Sequence, residues 1–342
     1  VLRAAGLRCG LYTSPHLVDF RERIRVDGTL IPEVAVAEGL TLLRSASSGW
    51  GHAPTFFELA TALAAWWFAR EDARIVVWET GMGGRLDATN AVTPLVSVIT
   101  PVAMDHEKWL GSTLAAIARE KAGIMKPGVP VVSAPQADEV RDVLRDCAGE
   151  NGSPLCFVDS PCGLPLGLAG GHQRWNAALA LRALDAAGVA TDDSARRRGL
   201  ATVSWPARFQ RAGDDMVIDG AHNPQATAAL VETWRAEFGA RKARLVFGAL
   251  QDKDPSAMLA LLRAVADEVR LVPVAGPRGS ASAELVGAAQ SAGFSVISQA
   301  TLQDALATRE RGGPILVTGS LFLAGEAIAL LQEGPPPLAT AQ

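Results

Sequence analysis

Cysteine, tyrosine and lysine are scarce in this chain of 342 residues, which holds four cysteines, one tyrosine and five lysines. Cys9, Cys147, Cys156 and Cys162 show neither CxxC nor His-paired zinc spacing, so a disulfide framework and a structural zinc are both excluded and free thiols are expected. Long hydrophobic runs are also missing. No apolar stretch reaches the ~18 residues of a membrane span, and the N-terminus has no extended apolar core of a secretory signal. The expectation is a cytoplasmic protein without a membrane partner. An excess of basic charge is absent too: 32 Lys+Arg face 36 Asp+Glu for a net charge of -4, which argues against nucleic acid and for small-molecule partners. What is present, 49% hydrophobic and 20% charged residues, belongs to a globular protein, and its length predicts two cores.

Short apolar runs alternate with helical patterns along the chain. RCGLYTS (8–14) reads as a buried strand and RIRVDGTLI (23–31) as a hairpin turning at Asp-Gly. Helices follow from Pro32 and over about 55–70. RIVVWET (74–80) is a strand running into GMGG, and LVSVITP (95–101), VPVVSAP (129–135) and PLCFVD (154–159) repeat it, with helices near 112–122 and 137–149. This alternation implies a mostly parallel sheet, with ligands at the carboxyl ends of its strands. A helix over about 172–187 and the Arg-rich 196–198 segment come next. Alternation restarts beyond Val203 with MVIDGA, a helix at 224–238, RLVFGAL, a helix at 256–266, VRLVPVA, a helix at 283–291, SVIS, a helix at 301–309 and PILVTGS. The expected fold is therefore α/β in two domains, 1–203 and 204–342, the second smaller and Rossmann-like. The Pro/Ala-rich tail after Gly334 is expected to fray.

Four of the five histidines lie in polar clusters at segment ends: TSPH (13–16), MDH (104–106), GGHQ (170–173) and DGAHNP (219–224). One such histidine would ordinarily be a capping or surface group. Four in this arrangement, with Tyr12, Lys121, Lys126 and Lys253 inside or beside them, point to a site. TSPHLVDFRERIRVDG, ETGMGGRLDATN, DHEKWLGSTLAAIAREKAGIMKPG, HQRWNAA, PARFQ, DGAHNP, FGALQDKD and VTGSLFLAGE, in this order, resemble successive blocks of bacterial folylpolyglutamate synthases/dihydrofolate synthases, within the Mur ligase superfamily. The likeness runs from about Thr13 to Glu326.

That resemblance implies an ATP-dependent ligase. ATP would activate a substrate carboxylate as an acyl phosphate, and the amino group of L-glutamate would displace phosphate to form an amide on dihydropteroate or a reduced folate polyglutamate. Triphosphate and acyl phosphate need hard cations and positive side chains. By resemblance, Glu79 and Ser14 match ligands of one magnesium ion, and His106 and Lys121 match those of a second. His106 is assigned by likeness alone, because imidazole is softer than magnesium favours. Lys121 matches a lysine carbamylated in many members, which requires a depressed amine pKa; its ordinary role would be to complement a helix dipole. Asn176 and Arg208 match contacts to the adenine and phosphate sides of ATP, and Asp219, His222 and Asn223 match contributions from the second domain. Lys253 and Asp252 follow a strand end nearby. Phe57, Arg85 and Asp87 match pterin-side positions, although Phe57 also reads as helix core; Arg85 leans toward an enzyme accepting dihydropteroate as well as folate. A monomer is implied.

The chain departs from the family pattern at its start. Val1 to Leu7 reads as the last turns of a helix stopped by Gly6, and no GxxxxGK[ST] phosphate loop precedes it. Gly81 to Gly84 run into Arg85 and cannot substitute. The expectation is a ligase lacking its phosphate loop and inactive in this form. The competing readings are another Mur-type amino-acid ligase and a non-catalytic folate- or nucleotide-binding homologue.

Overall fold

The computed structural model describes residues 1–213, 215–275, 278–307 and 313–332. The opening segment forms only a 3-10 turn, Arg3–Ala5, closed by Gly6 at φ 75. β1 (Cys9–Tyr12) follows, then β2 (Ile24–Val26) and β3 (Thr29–Leu30). These last two make the expected hairpin, with Asp27 at φ 51 and Gly28 at φ 87 supplying the left-handed pair that a two-residue turn requires. α1 (Glu33–Ala46) starts after Pro32, and α2 (Phe56–Arg70) starts at a capping box in which Thr55 and Glu58 satisfy each other's backbone N–H. β4 (Ile75–Trp78) pairs in parallel with β1, giving the order β3-β2-β1-β4.

β5 (Ser97–Ile99), α3 (Glu107–Leu110), α4 (Leu114–Ala122), β6 (Val131–Ser133), α5 (Asp138–Glu150), β7 (Leu155–Phe157), α6 (Gly171–Ala186) and α7 (Asp193–Ala201) come next. β5, β6 and β7 form a separate parallel sheet. Ile117 of α4 and Leu144 of α5 pack with Ile99 and Val131, while Leu179 of α6 packs with Val132. Neighbouring strand residues thus face opposite helical layers. The single parallel sheet expected across the first half is therefore two. Alternation identifies buried strands but not which strands are neighbours. Among the described residues β4 pairs only with β1 and β5 only with β6, and Val77 and Val98 on these strands are exposed.

The remaining elements are β8 (Gln210–Ala212), β9 (Met216–Ile218), α8 (Pro224–Phe238), β10 (Ala243–Phe247), α9 (Pro255–Leu262), β11 (Ala266–Leu271), α10 (Ser282–Ser291), β12 (Ser295–Ser298), α11 (Leu302–Ala307), β13 (Ile315–Thr318) and α12 (Leu321–Leu331). They build one sheet in the order β12-β11-β10-β13-β9-β8, parallel except for β8. Leu245 and Phe247 face Met258 and Trp234, whereas Val246 faces Leu323 and Ala327. Three expectations need correction. β8 went unforeseen because three residues, QRA, carry no apolar pattern. The helix expected over 256–266 ends at Leu262, since Ala266 already opens β11, and that strand stops at Leu271, short of 275. Of the helix expected at 301–309, residues 308 and 309 lie outside the described residues, as does the tail after Gly334. Among the described residues no helix is long and apolar enough to cross a membrane.

Candidate functional site

The carboxyl ends of β1 and β4 lie side by side, and two bonds join them there: the Glu79 N–H donates to the Tyr12 carbonyl at 3.0 Å, and the Ser14 N–H donates to Glu79 Oε2 at 2.8 Å. Glu79 is exposed to solvent yet has protein packed around it. Desolvation raises its pKa, against the Ser14 N–H and the positive charges of Arg208 and Arg23. A carboxylate in that state is short of positive charge, so its chemistry suits a cation. Among the described residues no three His, Cys, Asp or Glu side chains converge as a complete metal cage.

Arg208 is projected by a strained turn. Ala207 (φ 56) and Phe209 (φ 47) flank it in the left-handed region, which costs a non-glycine residue about 1–2 kcal/mol each. Offsetting bonds hold the turn: the Ala207 carbonyl accepts from Gly220 N at 2.8 Å, and Asp219 Oδ2 accepts from Phe209 N at 2.8 Å. Asp219 Oδ1 also takes the Ala221 N–H at 2.9 Å. Burial raises the pKa of Asp219, against those two N–H groups, Arg208 and His172. Asp219, assigned to the nucleotide by resemblance, therefore has its oxygens engaged in shaping the turn that presents Arg208.

Arg208 and Asn176 line one cavity of about 330 Å³ with Thr100, His172, Gln173 and Trp205. A larger one of about 750 Å³ adjoins it at Arg208 and Trp205. Both volumes fall in the range of small-molecule sites, about 300–1,000 Å³. A chain of side-chain bonds runs along the first turn of α6: Asn176 Nδ2 donates to Gln173 Oε1 at 3.0 Å, and Gln173 Nε2 meets His172 Nε2 at 3.1 Å. His172 carried no assigned role in the sequence reading. Its spacing of four residues from Asn176 puts both on one helix face, a signal that was available.

Lys121 ends α4. Burial lowers its pKa, opposed by the charge of Asp105, and its ammonium makes no hydrogen bond or ion pair among the described residues. The α4 terminus sits hard against the glycine loop after β4: a Cβ on Gly84 would lie 2.9 Å from the carbonyl oxygens of both Glu120 and Lys121. His106 adopts φ 53 just before α3, and its N–H donates to Asp105 Oδ1 at 2.9 Å. Asp105 also accepts from Asn223 Nδ2 at 3.1 Å and faces Lys253 Nζ at 3.4 Å. Asp105 was quoted within its motif but given no role; here it joins the MDH loop to the segments after β9 and β10. His222 donates from Nδ1 to the Gly220 carbonyl oxygen, 2.8 Å away, and burial lowers its pKa, with Lys253, Asp105 and Arg208 all acting on it. Asp252 pairs with Lys253 at 3.4 Å.

The pterin-side candidates have local occupations. Phe57 packs on Tyr12, ring centroids 6.1 Å apart, and against Gly81. Asp87 accepts from Met82 N at 2.8 Å and Thr89 N at 3.0 Å, folding the GMGGRLDATN loop on itself. Arg85 is tied to Glu120 at 3.0 Å. Arg23, also without a role in the sequence reading, is buried with its Nε donating to His16 Nδ1 at 2.8 Å.

The Mur ligase, glutamate ligase domain matches residues 207–321. A probable bifunctional folylpolyglutamate synthase/dihydropteroate synthase of Halobacterium salinarum is 38% identical over 96% of this chain, which spans 44% of that protein. The dihydrofolate synthase/folylpolyglutamate synthase of Escherichia coli is 36% identical over 94% of this chain and 79% of its own length. Among solved structures, E. coli FolC in complex with DHPP and ADP aligns with a TM-score of 0.87 at 32% identity, over 97% of this chain and 84% of that one. A Yersinia pestis bifunctional folylpolyglutamate synthase/dihydrofolate synthase complexed with AMPPNP and Mn ion gives 0.86 at 32% identity, over 97% and 84%. On identity and coverage together, the chain belongs to the folylpolyglutamate synthase/dihydrofolate synthase family of Mur ligases.

Proposed function

We propose that this chain carries the active-site framework of an ATP-dependent ligase that adds L-glutamate to dihydropteroate, to reduced folate polyglutamates, or to both. The observation that carries the reading is Arg208, which lines a cavity with Asn176 while its charge acts on Glu79 and, together with Asp105 and Lys253, on His222. In this reading the domains are 1–203 and 204–342, with ATP bound where they face each other, and the chain acts as a monomer. ATP and a divalent cation are the partners this chemistry requires, as the nucleotide and manganese named for its relatives suggest.

Two cation positions are assigned to this chain. Glu79 and Ser14 would hold one, and His106 with a carbamylated Lys121 the other; bound there, the cations supply charge neutralisation for phosphoryl transfer. The depressed pKa of Lys121 supports the carbamate, because carbon dioxide adds only to a neutral amine. Arg208, on its strained turn, is aimed to bind the phosphates and disperse their charge. His172, Gln173 and Asn176 form the hydrogen-bonding wall of the base pocket. The pterin ring is assigned to Phe57, Arg85 and Asp87, whose loop shape is fixed by the Met82 and Thr89 bonds.

The test is incorporation of labelled glutamate into dihydropteroate and tetrahydrofolate with ATP and magnesium. Amide product that depends on ATP supports the reading. ATP-dependent addition to nucleotide-sugar peptide acceptors instead would assign another Mur-type ligase.

A further inference from the structure

We infer that Asp105 is a positioning residue that couples the approach of the two halves of the molecule to the placement of His106 and Lys253. Its carboxylate has three partners from three segments. Oδ1 accepts from the His106 N–H at 2.9 Å and faces Lys253 Nζ at 3.4 Å; Oδ2 accepts from Asn223 Nδ2 at 3.1 Å. The first contact lies within the MDH loop of the first half. The other two come from the segments following β9 and β10 in the second half.

Asn223 is preset for this contact. Its Oδ1 caps α8 by accepting from Ala226 N at 2.8 Å, so the amide cannot flip without losing the cap, and Nδ2 is the end left for Asp105. Serine or aspartate would also cap the helix. Aspartate would leave no donor, and serine would have to donate from the same short hydroxyl that caps, without the reach of the Nδ2 amide. The choice of asparagine at this position thus answers two demands, one local and one across the cleft.

Lys253 has a side chain only 11% exposed, facing Asp105 at 30%. This pair is largely withdrawn from water, unlike an exposed pair that solvent screens. On the other side, His106 occupies the left-handed region at φ 53, and the bond from its N–H to Asp105 supports that backbone. Separation of the halves would strip Asp105 of Asn223 and Lys253 and leave only the bond within its own loop. Closure is therefore what gives Lys253 a second carboxylate partner beside Asp252 and gives the loop carrying His106 its anchor.

The inference rests on the ligase reading for its activity measurement only. In the full chain, with Cys156→Ser to silence the half-exposed thiol, spin labels on cysteines at positions 142 and 284 report the distance between the halves with magnesium and AMPPNP. Asn223→Asp keeps the helix cap but sets two carboxylates face to face; Asp105→Asn removes the charge. Combining them exchanges donor and acceptor. Asn223→Asp alone should lengthen the distance and lower kcat, and the exchange should restore both, with a departure from multiplicative single effects of about tenfold or more. The exchange variant should recover the melting temperature of the parent more nearly than Asn223→Asp does, because the cap survives and a donor again faces a carboxylate. Multiplicative effects with coincident distance distributions would overturn the inference. If the parent chain makes no amide, the distances alone decide: recovery in the exchange variant supports the coupling, and no change among variants overturns it.

Discussion

Single side chains in this site do two jobs, and that is why motifs revealed their presence better than their contacts. Asp219 was legible in DGAHNP, yet its oxygens bind the Phe209 and Ala221 N–H groups, a relation between residues ten and two positions away that no spacing rule announces. Asp105 sat in plain view beside His106, but its partners Asn223 and Lys253 are 118 and 148 residues distant. Lys121 stands out in the sequence because its motif is dense, and it lies partly buried in the last turn of α4. For that residue the depressed pKa makes a specific expectation: Lys121→Ala should lose most ligase activity, about a hundredfold or more, and millimolar acetate or formate should return part of it by supplying carboxylate oxygens. Unchanged turnover in Lys121→Ala would remove the residue from the mechanism. For Arg208, the strained turn presents a cation that contributes little to packing. Arg208→Ala should raise the ATP KM or slow phosphoryl transfer, by about 2–3 kcal/mol of transition-state stabilisation, with an unaltered denaturation midpoint. Ordinary ATP kinetics would make Arg208 a linker cation.

Elements were read well where the local code is strong and poorly where neighbours decide. The Asp27-Gly28 hairpin, the Thr55 capping box and the Asn223-Pro224 start of α8 follow from backbone chemistry within four residues. The separation of β4 from β5 does not, because strand pairing is a tertiary choice, and neither does β8, whose three residues are held by β9. The contact between the glycine loop after β4 and the end of α4 is of this second kind, and it makes Gly84 a sensitive position. A methyl group there would meet the Glu120 and Lys121 carbonyl oxygens at 2.9 Å and Ile124 Cγ2 at 2.8 Å, and backbone atoms cannot swing aside as a side chain can. Gly84→Ala should cost about 1–3 kcal/mol in urea unfolding through overpacking. Because the carbonyl it pushes belongs to Lys121, activity should fall further than stability accounts for. A variant with full activity and parental stability would show that the loop has room to shift.

The two halves of the molecule are joined by more than a linker, and the joint involves the segment that carries Ser14. Leu17 and Val18, from the first half, pack into the apolar cluster of Ile218, Val246, Leu323 and Ala327 in the second. α12 approaches this segment so closely that a Cβ on Gly325 would sit 2.2 Å from the Leu17 carbonyl oxygen and 2.9 Å from its carbon. Glycine at 325 is therefore a requirement of the docking, since the helix itself would prefer alanine by about 1 kcal/mol. Gly325→Ala sets these two effects against each other. The helix gains propensity, while the dock must open or shift by the width of a methyl group, at about 1–3 kcal/mol. The clash should win, so that Gly325→Ala lowers the unfolding free energy, by up to about 2 kcal/mol. The same displacement acts on residues 14–18 and hence on the Ser14–Glu79 bond, so magnesium should be needed at higher concentration for half-maximal activity. Both quantities can be read on one preparation, by urea unfolding followed through tryptophan fluorescence and by a magnesium titration of glutamate incorporation. A variant more stable than its parent with an unshifted magnesium dependence would mean that α12 and the Ser14 segment move independently.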